Sequence, residues 1–358
     1  MSRESAVRAA FLRQGEICTE AGAPFTGRMC RLVGERLQGG SLLADRILGW
    51  PGNPSHEGDA LPLRLMGGLH ALARAGRAPD LSAAYPPHPA PVEDDALWAI
   101  VAAALAAEAP AMAPWLDQPP QTNEVGRSAG LMAGLMVLSA RFGRPFRLYE
   151  LGASAGLNSG LDRYAFDLGG VQAGDLASPV RLQPDWRGPP PPGAEVRVIG
   201  RAGVDRNPLD VGDAETRARL AAYVWADQQE RLARLEAALD LALIHPVSLA
   251  RADAADWLEA MLDPEPEPGV CRVVMHTIAF QYFPPDSQTR IADRIAAAGA
   301  RATPDAPLAS LSFEQEGTRE RRRPVLRLQS WPGGRDDRLA EGHPHGASYD
   351  WFGAADLR

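Results

Sequence analysis

The stretch Phe146 to Asn158, Phe-Arg-Leu-Tyr-Glu-Leu-Gly-Ala-Ser-Ala-Gly-Leu-Asn, constrains this chain more than any other. Phe146, Leu148 and Tyr149 read as the end of a buried parallel strand, and Glu150 falls where that strand stops. Gly152 and Gly156 bracket a tight turn of small residues, and Leu157 to Tyr164 reads as a helix start. A strand, a small-residue turn and a helix N-terminus make a nucleotide-binding element. The turn lets backbone approach a ligand, and the free N–H groups of the helix point at it. The plain alternative is any strand-turn-helix corner of an α/β protein. A dinucleotide fingerprint would need glycine at 152, 154 and 157, where the chain has Gly152, Ser154 and Leu157. A P-loop would need Gly-Lys-Ser/Thr, and the chain contains no lysine.

What remains is acidic-x-Gly-x-Ser-x-Gly, at Glu150, Gly152, Ser154 and Gly156. This resembles motif I of class I S-adenosylmethionine-dependent methyltransferases, with serine replacing the middle glycine. The resemblance implies an α/β fold with a Rossmann-like methyltransferase sheet. It also implies that Glu150, Gly152, Ala153, Ser154, Gly156 and Asn158 hold the amino-acid and ribose parts of S-adenosylmethionine.

Composition narrows the function classes. Length is 358 residues and 45% are apolar, enough for one large domain or two modest ones with a substantial core. The net charge of −8 argues against a general nucleic-acid binder, whose phosphate contacts need a basic surface. Without lysine, Schiff-base chemistry is excluded. Cys18, Cys30 and Cys271 are too scattered for a zinc site or a disulfide framework and read as small core residues. Met-Ser-Arg-Glu-Ser is followed by no long apolar run, and no stretch approaches a membrane span. The expectation is a cytoplasmic protein with a small-molecule partner, no nucleic acid and no membrane.

Residues 1 to about 120 read as a helical domain or lid, with 121–358 as the α/β domain. Helical spacing marks Ala6–Cys18, the segment carrying Phe25, Met29, Leu32, Val33 and Leu37, the segment Leu63–Leu72 ended by Gly76 and Pro79, and Asp94–Ala107. Pro86 to Pro91 is a proline-rich connection. Thr122 or Asn123 can cap a helix through Leu131–Arg141. Alternatively Asn123, Glu124 and Arg127 contact a ligand, since this helix precedes the Phe146 strand.

Beyond the turn lies a polar insertion with four prolines at 189–192, where no central strand or helix can run. Glu195–Gly203 reads as a second strand and leads to Asp205, Arg206, Asn207, Pro208, Leu209 and Asp210. The methyltransferase plan ends its second strand in an acid on the ribose hydroxyls; Asp205 is the candidate and Asp210 the alternative. An Asp/Asn turn before proline explains the same residues. Thr216–Leu243 reads as one long helix and Pro246–Leu249 as a strand. Asp253 then occupies the place where the plan meets the adenine amino group, and it can equally cap a helix starting at Ala254. Val270–His276 is a buried fourth strand whose carboxyl end carries His276, Gln281 and Tyr282. A helix over Asp286–Ala298 and strands at Leu308–Phe313, Val325–Ser330 and Ala347–Trp351 complete the sheet. His343 and His345 flank Pro344 before the last strand. A His-x-His pair in extended chain can point both rings to one side for a metal, with His276 as third ligand; a polar turn lining a pocket is the other reading.

Thr122-Asn123-Glu124-x-Gly126-Arg127-Ser128, Glu150 to Asn158, Asp205-x-Asn207-Pro208-Leu209-Asp210 and His343-Pro344-His345-Gly346 occur in that order. Together they resemble an uncharacterised bacterial family, domain of unknown function 2332, over nearly the whole chain. The working expectation is methyl transfer from S-adenosylmethionine to a small molecule. His276 is the preferred base, with His343 or His345 second, and Asn123, Glu124, Arg127, Gln281 and Tyr282 contact the acceptor. A metal-assisted hydrolase using His276, His343 and His345 and a non-catalytic adenosyl-nucleotide-binding protein are the alternatives.

Overall fold

A computed structural model describes residues 2–90, 93–317 and 323–357. Pro91, at the end of the proline-rich connection, lies outside them. The chain forms two compact units. The first comprises Met1–Thr122 and Asp213–Ala233; the second comprises Asn123–Gly212 and Arg234–Arg358. The sequence suggested a single boundary near residue 120; the excursion at Asp213–Ala233 adds a second helical piece to the first unit.

The first unit holds α1 (Arg3–Glu20), α2 (Pro24–Arg36), α3 (Leu42–Leu48), α4 (Leu61–Arg74), α5 (Pro79–Ala84), α6 (Asp94–Ala107), α7 (Ala109–Asp117) and, after α8 (Ser128–Phe142) of the second unit, α9 (Ala214–Ala222). Its core gathers Phe11, Met29, Leu32, Ile47, Leu65, Leu69, Leu97 and Val101. Each such side chain contributes roughly 1.5–3 kcal/mol by leaving water. α1 and α2 pack backbone against backbone at Gly15 and Gly27. A Cβ on Gly27 would lie 2.7 Å from the Gly15 carbonyl oxygen and against the Thr19 hydroxyl.

The helix read over Thr216–Leu243 is two helices, α9 and α10 (Gln229–Ile244). No glycine or proline marks the break. Asp227 lies in the break, and its carboxylate accepts the N–H groups of Phe25 at 2.7 Å and Thr26 at 3.0 Å and the Thr26 hydroxyl at 2.7 Å. α2 begins with no side-chain cap of its own. A residue about two hundred positions away satisfies the orphan N–H groups of its first turn.

The second unit is mixed α/β, built on a large and mostly parallel sheet. Its strands are β1 (Phe146–Leu151), β2 (Ala165–Leu168), β3 (Val171–Gly174), β4 (Arg181–Leu182), β5 (Asp185–Arg187), β6 (Val198–Asp205), β7 (Ser248–Arg251), β8 (Cys271–Thr277), β9 (Leu308–Glu316), β10 (Arg323–Trp331), β11 (Arg335–Gly342) and β12 (Ser348–Trp351). The main sheet runs β5-β12-β11-β10-β9-β8-β1-β6-β7. β7, β6, β1, β8 and β9 are mutually parallel. β9 to β12 then form an antiparallel meander, and β5 pairs parallel with β12. β8 is buried at every residue, as expected of a strand covered on both faces.

The insertion after β1 contains more order than its prolines suggest. β3-β2-β4 form a small second sheet there. The prolines at 189–192 do lie outside any regular element.

α8 (Ser128–Phe142), α11 (Ala254–Leu262) and α12 (Pro285–Ala300) complete the second unit with the end of α10. α8 is buried from Ser128 through Leu138. Its small residues let it lie close to the sheet: a Cβ on Gly130 would meet the Tyr349 ring at 2.9 Å. Among the described residues no single helix is long and apolar enough to cross a membrane.

Candidate functional site

β1 runs out at Leu151, and the chain turns with Gly152, Ser154 and Gly156 at φ of +67°, +54° and +74°. A left-handed serine costs roughly 1–2 kcal/mol. It persists because both its backbone groups are held. Its N–H donates to Asp205 Oδ2 at 2.9 Å, and its carbonyl accepts from the Leu209 N–H at 3.0 Å. Asp205 Oδ1 accepts from the Asn207 N–H at 2.8 Å. The Asp205–Asp210 segment is thus bonded to the turn. Asp210 instead accepts from Gly212 N–H at 2.8 Å and is exposed.

Where a side chain would project, both glycines meet the protein itself. A Cβ on Gly152 would lie 2.6 Å from Ala279 Cβ, and one on Gly156 would lie 3.3 Å from Val247 Cβ. The close approach at both positions is of the protein itself. The helix start expected over Leu157–Tyr164 is a 3-10 helix, Asn158–Arg163.

Glu150 is buried beneath this turn. Its Oε2 accepts from the Ser159 hydroxyl at 2.5 Å. Burial pushes its carboxyl up to about 7, against the Ser159 and Asn158 hydrogen bonds that lower it, and nearby Asp205 adds to the rise. The Ser154 hydroxyl is buried without a hydrogen-bond partner.

Asn123 does not cap the helix. Its Oδ1 accepts from the Leu157 N–H at 3.0 Å, while α8 begins only at Ser128, after a 3-10 turn at Val125–Arg127. Glu124 Oε1 accepts from the Gly126 N–H at 2.9 Å, and the Ser128 hydroxyl donates to Asn158 Oδ1 at 2.7 Å. Arg127 is a bridge: Nε donates to the Pro344 carbonyl at 2.9 Å and Nη1 to the Thr277 carbonyl at 3.0 Å. Gly126 and Gly346 meet backbone to backbone, with no room for a Cβ on either.

The His343–His345 segment is a turn and not extended chain. His343 Nδ1 accepts from the His345 N–H at 3.1 Å, and the rings lie 5.3 Å apart at 73°. Among the described residues no group of three or more His, Cys, Asp or Glu side chains is arranged to hold a metal ion.

Asp253 caps α11 by accepting from the Ala255 N–H at 2.9 Å. It also receives Arg206 at 3.0 Å and the Ser287 hydroxyl at 3.0 Å. Burial would raise its carboxyl, and these donors hold it below the usual range. Trp257 packs edge-on against Tyr149 at 6.0 Å.

His276, buried near the end of β8, places Nδ1 2.8 Å from Glu314 Oε1. The same oxygen accepts the N–H groups of Ala279 at 3.0 Å and Phe280 at 3.1 Å. Burial alone would raise the Glu314 carboxyl; the His276 and backbone donors bring it below the ordinary value. Phe280 stacks on the imidazole at 5.0 Å and 23°. Gln281 and Tyr282 follow on an exposed loop, Tyr282 with 75% of its surface open.

Ser159, Ser287 and Glu314 escaped the sequence reading, and Ser128 and Arg206 entered it only as members of motifs. Glu314 had a findable signal. β8 and β9 are parallel neighbours with His276 opposite Ser312, so Glu314 lies two residues on, on the same face. That face of β9 also carries Ser310, Ser312 and Glu316, so Glu314 stands out only once β9 is known to lie beside β8.

This is a mixed α/β protein whose distinctive motifs, distant in sequence, are hydrogen-bonded to one another beyond the carboxyl ends of its parallel strands. The chain belongs to a family described as an uncharacterized protein conserved in bacteria (DUF2332), whose model matches residues 8–351. No curated protein and no solved structure matches it.

Proposed function

We propose that the second unit binds S-adenosylmethionine beyond the carboxyl ends of β1, β6, β7 and β8 and acts as a methyltransferase on a small molecule. Counted in chain order, the parallel strands lie third, second, first, fourth, fifth across the sheet. This is a doubly wound, Rossmann-like order, and such sheets take ligands where the order reverses, here between β1 and β8. The single observation that carries the reading is Asp205. It is the last residue of β6, and its carboxylate is bonded to Ser154 in the turn that ends β1.

The fit to the cofactor rests on Ser154 and Asp205 more than on the glycines, whose open faces are filled by Ala279 and Val247. The buried, unpartnered Ser154 hydroxyl is a group that a polar ligand would satisfy. Asp205 is half-buried and suits a diol. Glu150 supports the turn from below, and Asp253 serves adenine only if Arg206 moves aside. When bound, the cofactor supplies an electrophilic methyl group. The chain's own work is to orient the acceptor and take its proton. His276 is the base, and Arg127, Asn123 and Glu124 shape the acceptor side through the segment they hold together.

Calorimetry of the full chain with S-adenosylmethionine and S-adenosylhomocysteine tests this. Saturable binding is expected, weakened ~10-fold or more in Asp205→Asn, since a hydrogen bond to a charged group is worth roughly 1.5–3 kcal/mol. No binding at millimolar ligand would overturn the reading. Gly156→Val is unsuitable as a probe, because a side chain there meets Val247 and Leu249 at positive φ. Binding without methyl transfer into a metabolite extract would leave a non-catalytic adenosyl-nucleotide-binding protein.

A further inference from the structure

We infer that Glu314 is a positioning residue that fixes the tautomer of His276 and ties it to the loop carrying Gln281 and Tyr282; this rests on His276 being the base.

One carboxylate oxygen of Glu314 collects three donors: His276 Nδ1 at 2.8 Å, the Ala279 N–H at 3.0 Å and the Phe280 N–H at 3.1 Å. Two backbone N–H groups can only donate, so this oxygen faces them as an acceptor. An ionised carboxylate also has no proton to give, so the imidazole must donate from Nδ1. In the neutral ring, that leaves Nε2 as the lone-pair nitrogen. The base is thereby set before any ligand arrives. A proton taken from an acceptor O–H, N–H or S–H goes to Nε2. The positive charge then formed is shared through Nδ1–H with Glu314.

The same oxygen fixes the loop. Ile278 adopts φ +46°, which a β-branched residue rarely does, and its N–H is held by the Phe313 carbonyl at 2.8 Å. Ala279 then fills the open face of Gly152, and Phe280 stacks on the imidazole. The ring, the loop and the glycine turn are therefore oriented together. Glu314 Oε2 is buried and lacks a hydrogen-bond partner, so the carboxylate is not consumed by a competing cation there.

The test reads the ring directly. In histidine-labelled full-length protein, at a pH high enough for the ring to be neutral, 15N shifts of His276 should show the remaining proton on Nδ1. Glu314→Gln keeps an amide oxygen for the same donors and should retain that tautomer. Glu314→Ala should shift the ring toward protonation on Nε2. A wild-type ring protonated on Nε2, or an unchanged tautomer in Glu314→Ala, would overturn the inference. If Glu314→Ala does not fold, the wild-type tautomer still decides. S-adenosylhomocysteine binding is measured on the same wild-type sample. Its absence in wild type would sink the cofactor reading while leaving the tautomer result intact.

Discussion

In the helical unit, Asp227 accepts two backbone N–H groups from the start of α2; in the sheet unit, Asp205 accepts two from the turn after β1 and from its own strand end. The bonds are of one kind, and their settings differ. Asp227 also binds the Thr26 hydroxyl and completes a helix terminus. Asp205 stands at a sheet edge beside a buried carboxyl and an unpartnered hydroxyl. Buried ionisable groups follow the same division. His70 in the helical unit is driven down to about 4 by burial, against the Ala222 carbonyl that opposes it. Glu150 is driven up to about 7. One unit neutralises its buried base far below neutrality, and the other keeps an acid poised near it. Under the proposed function, groups of the first kind complete a fold and those of the second gather where a ligand would be met.

The sharpest way to break this contrast is at the close glycine pairs. Gly346→Ala forces a Cβ into the Gly126 backbone at φ +68° and should cost roughly 4 kcal/mol, combining overpacking with left-handed strain. Gly27→Ala in the helical unit meets the Thr19 hydroxyl, which can turn, and the Gly15 carbonyl oxygen at 2.7 Å, which cannot; it carries no left-handed strain and gains helix propensity, so roughly 2 kcal/mol is expected. Denaturant titration of both variants measures the difference; equal losses would dissolve the distinction.

Next comes pH. The His70 contribution is complete above the ordinary histidine value of 6.5 and is lost as pH falls to about 4, because the unfolded chain takes up a proton the fold excludes. The loss is roughly 3 kcal/mol. Glu150 acts oppositely. Its fold keeps a proton the unfolded chain releases near 4.5, so stability is complete below that value and falls by roughly 3 kcal/mol as pH rises to about 7. Unfolding curves across this range should show His70→Gln losing the acid-side fall and Glu150→Gln losing the neutral-side fall. Identical pH profiles for wild type and both variants would refute the assignment.

The smallest effect is the most discriminating. Asp227→Asn should lower stability by roughly 1–2 kcal/mol and leave S-adenosylhomocysteine affinity unchanged. Asp205→Asn should lower stability by less than that, roughly 1 kcal/mol, since an amide oxygen keeps one backbone donor, while affinity falls. The reverse pattern in paired melting and calorimetry experiments would move the ligand away from Asp205.

Local signals carried much of this architecture. α6 begins and ends at the residues its alanine-rich pattern marks, and β1, β6, β7, β8, β9, β10 and β12 each overlap a strand read from apolar runs. The hairpin β2–β3 has a local signal too, Gly169-Gly170 between two short runs, inside a segment whose later prolines suggest no regular structure. The break between α9 and α10 was not legible, because no glycine or proline marks it and the partner of Asp227 within it is the distant N-terminus of α2. The partner of Asn123 was hidden for a similar reason. A cap and a tight turn look alike in sequence whether their partner is the next helix, a ligand or a segment far along the chain. Glu314 needed knowledge of which strands are neighbours.

The return of Asp213–Ala233 to the helical unit has a bearing on how the chain is made. Synthesis from the N-terminus delivers α1 to α7 first, then the opening strands of the other unit, and only then the residues that finish the helical one. Until residue 227 emerges, α2 has no acceptor at its first turn, and Gly67 lacks the Tyr223 ring that packs on it. The early product is a helical assembly with a missing piece, while the sheet begins before its neighbour is closed. A fragment ending at residue 122 would carry that gap permanently, so a soluble excised helical unit must include 213–233 as a grafted segment.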